Sequence, residues 1–342
     1  MTATFCAFAI ALAIALVLTP VARAIALRAG VVDRPDKRLK RHRAPVPYLG
    51  GIAIFLACLI AVVGVKIWTG EGPWLLRMRG IVGIMAGAGL VFLLGLWDDL
   101  KPLGPRTKLA IQAAAAAIPI SLEVHIKFID NPWAAYPLTL VWLVGVTNAL
   151  NLLDIMDGLA AGVAAVAAGW FWIISAQNGR FNDALTAAAL MGAAIGFLRY
   201  NRPPARIFMG DAGALFLGFM LAVVAIGQGY SMNTNLGVIA PLLILGVPIF
   251  ETLFVMAVRH QQGKPVMLGS PDHVPLRLLR LGWSRERALA ALCGAGAALG
   301  AVAFYVVHTN WERALLVSGV TIMVAMLAAI RLASVRMEGD RR

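Results

Sequence analysis

The chain has 342 residues, of which 60% are hydrophobic and only 14% charged. A soluble globular protein is nearer half apolar and a quarter charged, so this composition argues against a soluble enzyme, a disordered regulator or a coiled coil and favours a polytopic membrane protein. Thirty Lys and Arg against 17 Asp and Glu leave a formal charge of +13; on a membrane chain such an excess reports orientation before it reports nucleic acid, because basic loops stay on the cytoplasmic side.

A membrane span needs roughly 20 apolar residues, with shorter ones allowed where polar groups line a cavity. Eleven segments meet that description: 3–27, 48–68, 80–97, 106–122, 136–153, 158–177, 183–200, 211–229, 236–257, 286–307 and 312–332. The first lacks a basic stretch before its apolar run and is long for a secretory signal, so it reads as an uncleaved helix. The fold class is therefore an all-α polytopic integral membrane protein with about 11 transmembrane helices. It is expected to form a single transmembrane catalytic domain over residues 1–342, because no soluble domain or low-complexity segment interrupts it. Cys6, Cys58 and Cys293 lie far apart in apolar runs, so no disulfide framework or metal-binding cysteine pair is expected.

With alternate loops on opposite sides, residues 28–47, 98–108, 154–157, 199–210 and 258–287 and the tail from Arg331 carry 23 Lys and Arg, against 6 on the other side. This asymmetry places the N-terminus outside and the C-terminus in the cytoplasm. It also largely explains the basic charge, and no nucleic-acid partner is expected.

Ionisable groups are costly in a membrane segment and are functional suspects by default. Asp98, Asp99, Asp154, Asp157, Asp211 and Asp272 all fall on the expected cytoplasmic side or at helix ends facing it, with Glu251 near the same surface. The first cluster, Gly-Leu-Trp-Asp-Asp-Leu-Lys at residues 95–101, closes the third segment. Adjacent helical residues point about 100° apart, so Asp98 and Asp99 divide into one carboxylate in a site and one supporting it. The plainer reading is an acidic pair meeting Lys101, Arg106 or Lys108.

In the second cluster Asn148, Asn151, Asp154 and Asp157 recur every three positions before Gly158. The first three share a broad helix face; by Asp157 the drift from Asn148 reaches about 180°, and Asp157 is expected at the helix end, where Gly158 lets the chain turn. Amides and carboxylates together are hard oxygen ligands suited to Mg²⁺; interhelical hydrogen bonding is the competing use. The third cluster, residues 201–213, places Asp211 between Gly210 and Gly213 where the eighth segment opens. A carboxylate there either caps the helix or binds a metal that is itself bound to phosphate.

The fourth, in the loop 259–287, offers Arg277 and Arg280 at helical spacing for phosphate oxygens and His273 beside Asp272. A basic loop touching anionic lipid is the alternative. The fifth, residues 33–51, holds Asp33, Pro35, Lys37, Arg38, His42 and the pair Gly50 and Gly51. It suits an anionic headgroup, although the orientation signal accounts for its charge equally well.

Together these segments resemble the polyprenyl-phosphate N-acetylhexosamine-1-phosphate transferase family, glycosyltransferase family 4. The likeness covers roughly residues 30–285, with the motifs in family order, and is nearest to the undecaprenyl-phosphate N-acetylglucosaminyl-1-phosphate transferase branch. That branch starts O-antigen, enterobacterial common antigen or teichoic-acid linkage units. The resemblance implies transfer of a sugar-1-phosphate from a UDP-N-acetylhexosamine to undecaprenyl phosphate with release of UMP. It implies Mg²⁺, for which Mn²⁺ can substitute, and a bacterial inner-membrane location with the active site on the cytoplasmic face. Membrane lipids are expected neighbours, and a homodimer is compatible with this reading.

By residue, the resemblance makes Asp211 the metal-binding aspartate and Asn151 an asparagine that also contacts the metal. Asp98 becomes the base toward the lipid phosphate with Asp99 beside it, and Lys108 a phosphate-contacting lysine. Asp154 and Asp157 shape the nucleotide pocket, and Asn148, His273, Arg277 and Arg280 complete the expected substrate-binding set. The chain departs from the family at its His-x-His-His signature. Aligned on Ser270-Pro271-Asp272, those positions read Pro275, Arg277 and Leu278, with His273 alone nearby. A multi-span secondary transporter is the main alternative, but its site would sit near the midplane of repeated halves. No internal repeat is visible here, and the acids crowd one face.

Overall fold

The computed structural model describes residues 1–33, 45–70, 79–227, 235–263, 265, 272–335 and 337. Pro35, Lys37, Arg38, His42, Ser270 and Pro271 of the sequence motifs lie outside the described residues. The chain divides into two compact units, Met1–Gly229 and Tyr230–Arg342.

The first unit contains α1 (Thr2–Arg28), a two-stranded antiparallel hairpin of β1 (Val32–Asp33) and β2 (Val46–Pro47), α2 (Gly50–Trp68) and α3 (Arg79–Leu100). These are followed by α4 (Pro105–Ser121), α5 (Pro132–Leu153), α6 (Leu159–Gln177), α7 (Phe181–Asn201) and α8 (Gly210–Gly227). Long apolar runs become helices because a helix satisfies its backbone polar groups internally. Helix α5 starts four residues before the hydropathy estimate, because Asn131 caps it, accepting from Trp133 N at 3.0 Å, and Pro132 fits its first turn.

Helix α8 is the axis of this unit. Fifteen of its eighteen residues are buried, as expected of a helix that is apolar all round. Glycines bring its neighbours to backbone contact. A Cβ on Gly95 of α3 would lie 2.5 Å from Ala212 Cα, and one on Gly51 of α2 would collide with the Gly213 backbone. A Cβ on Gly218 would lie 2.8 Å from Thr147 Cα of α5. Small residues at such contacts are how spans associate when lipid is as apolar as the partner helix. Helix α1 follows the same rule: Ala7, Ala11, Ala15, Ala22 and Ala26 form its buried stripe, and Gly192 and Gly196 of α7 meet its backbone.

The second unit contains a 3₁₀ turn (Asn235–Ile239), α9 (Ala240–Ile244), α10 (Gly246–Gln261), α11 (Val274–Arg280), α12 (Arg285–His308) and α13 (Trp311–Ala333). Phe254, Val255, Val258 and Val274 form an apolar core. The expected span 236–257 is broken: Leu236–Ile244 and Gly246–Gln261 meet at 75°. Pro248 cannot donate the bond that an unbroken helix would send to the Ile244 carbonyl, and Gly246 weakens the same turn.

Among the described residues nine helices are long and apolar enough to cross a membrane, and the bent pair would make a tenth. The remaining expected segment is α4, seventeen residues long with Arg106 and Lys108 in its first turn and Pro119 near its end. The chain is thus an all-α multi-pass membrane protein.

Candidate active site

The segment entering α8 is held like a third strand. Phe208 N donates to Pro47 O at 2.9 Å, Gly50 N to Phe208 O at 3.0 Å and Gly51 N to Met209 O at 2.9 Å. The chain then turns at Gly210, whose φ of +69° suits glycine, and a Cβ there would strike the Asp99 carboxylate. Asp211 follows in the first turn of α8.

Four side chains from four helices converge on this point. Lys108 Nζ of α4 lies 2.6 Å from Asp98 Oδ2 of α3 and 2.6 Å from Asp211 Oδ2 of α8. Asn151 Nδ2 of α5 donates to the other Asp211 oxygen at 3.0 Å. Asp98 Oδ1 accepts from Leu103 N at 2.7 Å, fixing the turn between α3 and α4. Its neighbour Asp99 accepts from Asp211 N at 2.7 Å and from Ala212 N at 3.1 Å. The pair therefore divides as helix geometry requires: Asp98 faces Lys108, while Asp99 satisfies the free amides that open α8.

The asparagine-aspartate segment is shared among three tasks. Asn151 enters the cluster. Asn148 instead joins Gln112, its Nδ2 donating to Gln112 Oε1 at 2.6 Å. Asp154 is the C-terminal cap residue of α5; burial, then the carboxylates of Asp211, Asp99 and Asp157, push its pKa up to about 8. Asp157 Oδ2 accepts from Ala205 N at 3.0 Å, and Gly158, at φ +79°, donates its N–H to Asn201 Oδ1 at 3.0 Å. The turn 154–158 is thereby stapled to the segment that leads into α8.

Two residues outside the sequence-based set stand at this site. Gln112 follows Lys108 by one helical turn, a spacing that could have drawn attention to it. Tyr48 bonds Asp33 and lies in the field of Asp99 and Asp211; burial foremost, then Asp33, hold its hydroxyl well above the usual range.

The fourth segment is organised within the second unit. His273 Nδ1 is 2.8 Å from Glu251 Oε1, and Glu251 also accepts from Val274 N at 3.1 Å, so this glutamate faces a helix neighbour. Arg277 is only 1% exposed. Its guanidinium donates to Asp272 O at 3.2 Å, to Leu332 O at 3.1 Å and to Val335 O at 2.5 Å, and lies over the Phe254 ring. Arg280 is exposed at the end of α11.

The first-unit cluster offers hard oxygen donors, and an ammonium bridging two carboxylates marks a place where positive charge is favoured. Among the described residues no three His, Cys, Asp or Glu side chains converge on one point. Mg²⁺ takes one or two carboxylates and completes its shell with water and phosphate, rather than needing a cage made only of protein ligands. The Asp211 carboxylate and the neighbouring Asn151 amide are hard donors of the kind that would hold such an ion.

Residues 81–228 match the family described as glycosyl transferase family 4. The match runs from α3 to α8 and contains every member of the cluster. A probable undecaprenyl-phosphate N-acetylglucosaminyl 1-phosphate transferase of Bacillus subtilis is 34% identical over 289 residues, covering 82% of this chain and 78% of that protein. The chain belongs to glycosyl transferase family 4. It is a transferase enzyme. A decaprenyl-phosphate N-acetylglucosaminephosphotransferase of Mycolicibacterium smegmatis is 28% identical over 341 residues, 90% of this chain and 83% of its own. A phospho-N-acetylmuramoyl-pentapeptide-transferase of Geobacillus kaustophilus is 32% identical over 289 residues, 78% and 85% respectively.

Proposed function

We propose that this family 4 enzyme moves an N-acetylhexosamine-1-phosphate from a UDP-sugar to undecaprenyl phosphate, releasing UMP and starting a lipid-linked cell-envelope glycan. The observation that carries the reading is the Asp98–Lys108–Asp211–Asn151 cluster at the opening of the buried helix α8. The names of the similar proteins supply the polyprenyl-phosphate acceptor and the amino-sugar phosphate. The donor nucleotide and the metal come from the motif resemblance and from the chemistry of the cluster.

Transfer between two anions requires charge neutralisation and in-line positioning more than covalent help from the protein. Mg²⁺ held by Asp211 and Asn151 would neutralise the pyrophosphate and polarise the bond to the leaving UMP. Lys108 supplies a fixed positive charge, reaching both the acceptor side at Asp98 and the metal side at Asp211. Asp98 accepts the proton of the lipid phosphate, so that the dianion attacks the β-phosphorus directly. Asp99 holds the first turn of α8, and therefore Asp211, in place. Asp154 and Asp157 border the nucleotide. The excess of Lys and Arg on the loops around these motifs supports a cytoplasm-facing site, where UDP-sugars are available and the isoprenoid stays in the bilayer.

The test is UMP release by the purified protein in detergent with undecaprenyl phosphate, Mg²⁺ and a panel of UDP-N-acetylhexosamines. Release that requires lipid and metal, and that falls by about 1,000-fold or more in Asp211→Asn, is the expected result. Absence of release from every donor by the folded protein would overturn the proposal, and a phospho-sugar adduct trapped on Asp98 or Asp211 would replace direct attack with two steps.

A further inference from the structure

We infer that Gln112 and Asn148 form a positioning clasp that sets Lys108 and Asn151 at the height of Asp211, so that Asn148 acts on the site through Gln112 rather than by touching substrate. The inference rests on the proposed transferase only for its kinetic test.

The buried face of α4 consists of Gln112, Ala115, Ala116 and Pro119. Alanines allow close approach but do little to resist sliding of one helix along another. Gln112, 1% exposed, is the polar member of that face. Its Nε2 donates to Asn148 Oδ1 at 3.3 Å, and Asn148 Nδ2 returns a bond to Gln112 Oε1 at 2.6 Å. The second Asn148 amide proton goes to Val144 O at 2.8 Å. A primary amide has two donor protons, so Asn148 has none left to donate to a phosphate oxygen.

The clasp lies one turn from the reacting cluster on both helices. Gln112 follows Lys108 by four residues, and Asn148 precedes Asn151 by three, spacings at which helical side chains share a face. Lys108 and Asn151 then grip opposite oxygens of Asp211, at 2.6 and 3.0 Å. Helices α4 and α5 are thus joined twice, once by paired amides and once through the carboxylate. The amide pair tolerates little sliding, since a shift of about 1 Å breaks its geometry and leaves buried amide groups unpaired. The same shift would pull Lys108 away from Asp98 and Asp211, and displacement on that scale can cost about 100-fold in rate.

The experiment compares Gln112→Leu, Asn148→Leu, the double variant and the exchanged pair Gln112→Asn/Asn148→Gln, all in detergent at matched folded fraction. With UDP-N-acetylglucosamine as donor, each single change is expected to lower kcat by about 10- to 100-fold, with KM for donor and lipid within about twofold. The double variant should be no worse than the poorer single, and the exchanged pair should recover most of the loss. A second readout needs no turnover: the rate at which an amine-reactive reagent labels Lys108, followed by mass spectrometry. It should rise in Gln112→Leu and return toward the native value in the exchanged pair. Multiplying losses, a donor KM raised by Asn148→Leu alone, or a Lys108 labelling rate indifferent to Gln112 would each overturn the clasp. An inactive native enzyme whose Lys108 labelling still follows Gln112 would overturn the choice of reaction and leave the clasp standing.

Discussion

At the residue scale the cluster turns on one ammonium. Lys108 sits between Asp98 and Asp211 at 2.6 Å from each, and removing it would leave two carboxylates facing one another without a counter-charge. Lys108→Met is expected to cut UMP release by at least about 100-fold. Lys108→Arg should not rescue it, because a planar guanidinium cannot occupy the position of a compact ammonium. Asp99 has a different task, and its variants should separate from those of Asp98. Asp99→Asn keeps an acceptor for the α8 amides, whereas Asp99→Ala removes the cap and should cost about 1–2 kcal/mol in unfolding experiments. Asp154 adds a pH signature. Its pKa in the folded protein, raised to about 8, exceeds that of an exposed carboxylate, so the native state holds a proton that the unfolded chain releases. Its contribution to stability is therefore full below the ordinary carboxylate range and is lost as pH rises through about 8. Thermal unfolding of Asp154→Asn between pH 5 and 9 should show a shallower fall than the native protein.

At the scale of elements, the geometry of the site depends on how closely helices approach α8. Gly95 and Gly51 admit α3 and α2 to backbone contact beside Asp211. Gly95→Val would force Ala212 and its neighbours outward, and such overpacking costs about 1–3 kcal/mol. The activity loss should exceed what the folded fraction explains, because Asp98 and Asp99 travel with α3. In the second unit, Arg277 ties α11 to the end of α13 through the Leu332 and Val335 carbonyls. Arg277 Nη2 also lies 3.4 Å from Oδ1 of the fully buried Asp272, so Arg277→Ala removes a charge partner of that carboxylate and is expected to cost about 3–5 kcal/mol. A stability loss with unchanged donor KM in the surviving folded protein would mark the arginine as internal; a raised KM at native stability would mark it as a substrate contact. The hydropathy of 236–257 predicted an unbroken span, and the 75° bend arises where Pro248 withholds a backbone donor. A window average registers how apolar a segment is and is blind to a single missing hydrogen bond.

For the whole molecule, the distribution of Lys and Arg predicts the sidedness of the loops. In a variant lacking Cys6, Cys58 and Cys293, a cysteine replacing Arg206 should react with an impermeant thiol reagent only in inverted vesicles. One replacing Glu123 should react from outside intact cells. The reverse pattern would move the acidic cluster to the other face and remove its supply of cytoplasmic nucleotide sugar.

The membrane class, the positions of most helices and the short segments that carry chemistry are all legible in the order of the residues. These are additive, local properties: hydropathy sums over a window, and an Asp beside glycine or asparagine is visible wherever it lies. Asp98, Asp99, Asn151 and Asp211 are legible as suspects in that way, whereas Lys108 is one of three basic residues beside the acidic pair and is singled out only by the family resemblance. Their relations to one another arise only in the folded chain. Lys108 and Asp211 are 103 positions apart, and Asp99 and Asp211 are 112 apart, yet both pairs are in hydrogen-bond contact. No periodicity encodes which of two adjacent aspartates meets the lysine and which caps a helix. Nor could spacing reveal that Asn148 is taken up by Gln112, or that Arg277 points into its own unit. Those outcomes depend on which helix faces meet, a property of paired surfaces that appears only when both helices are in place.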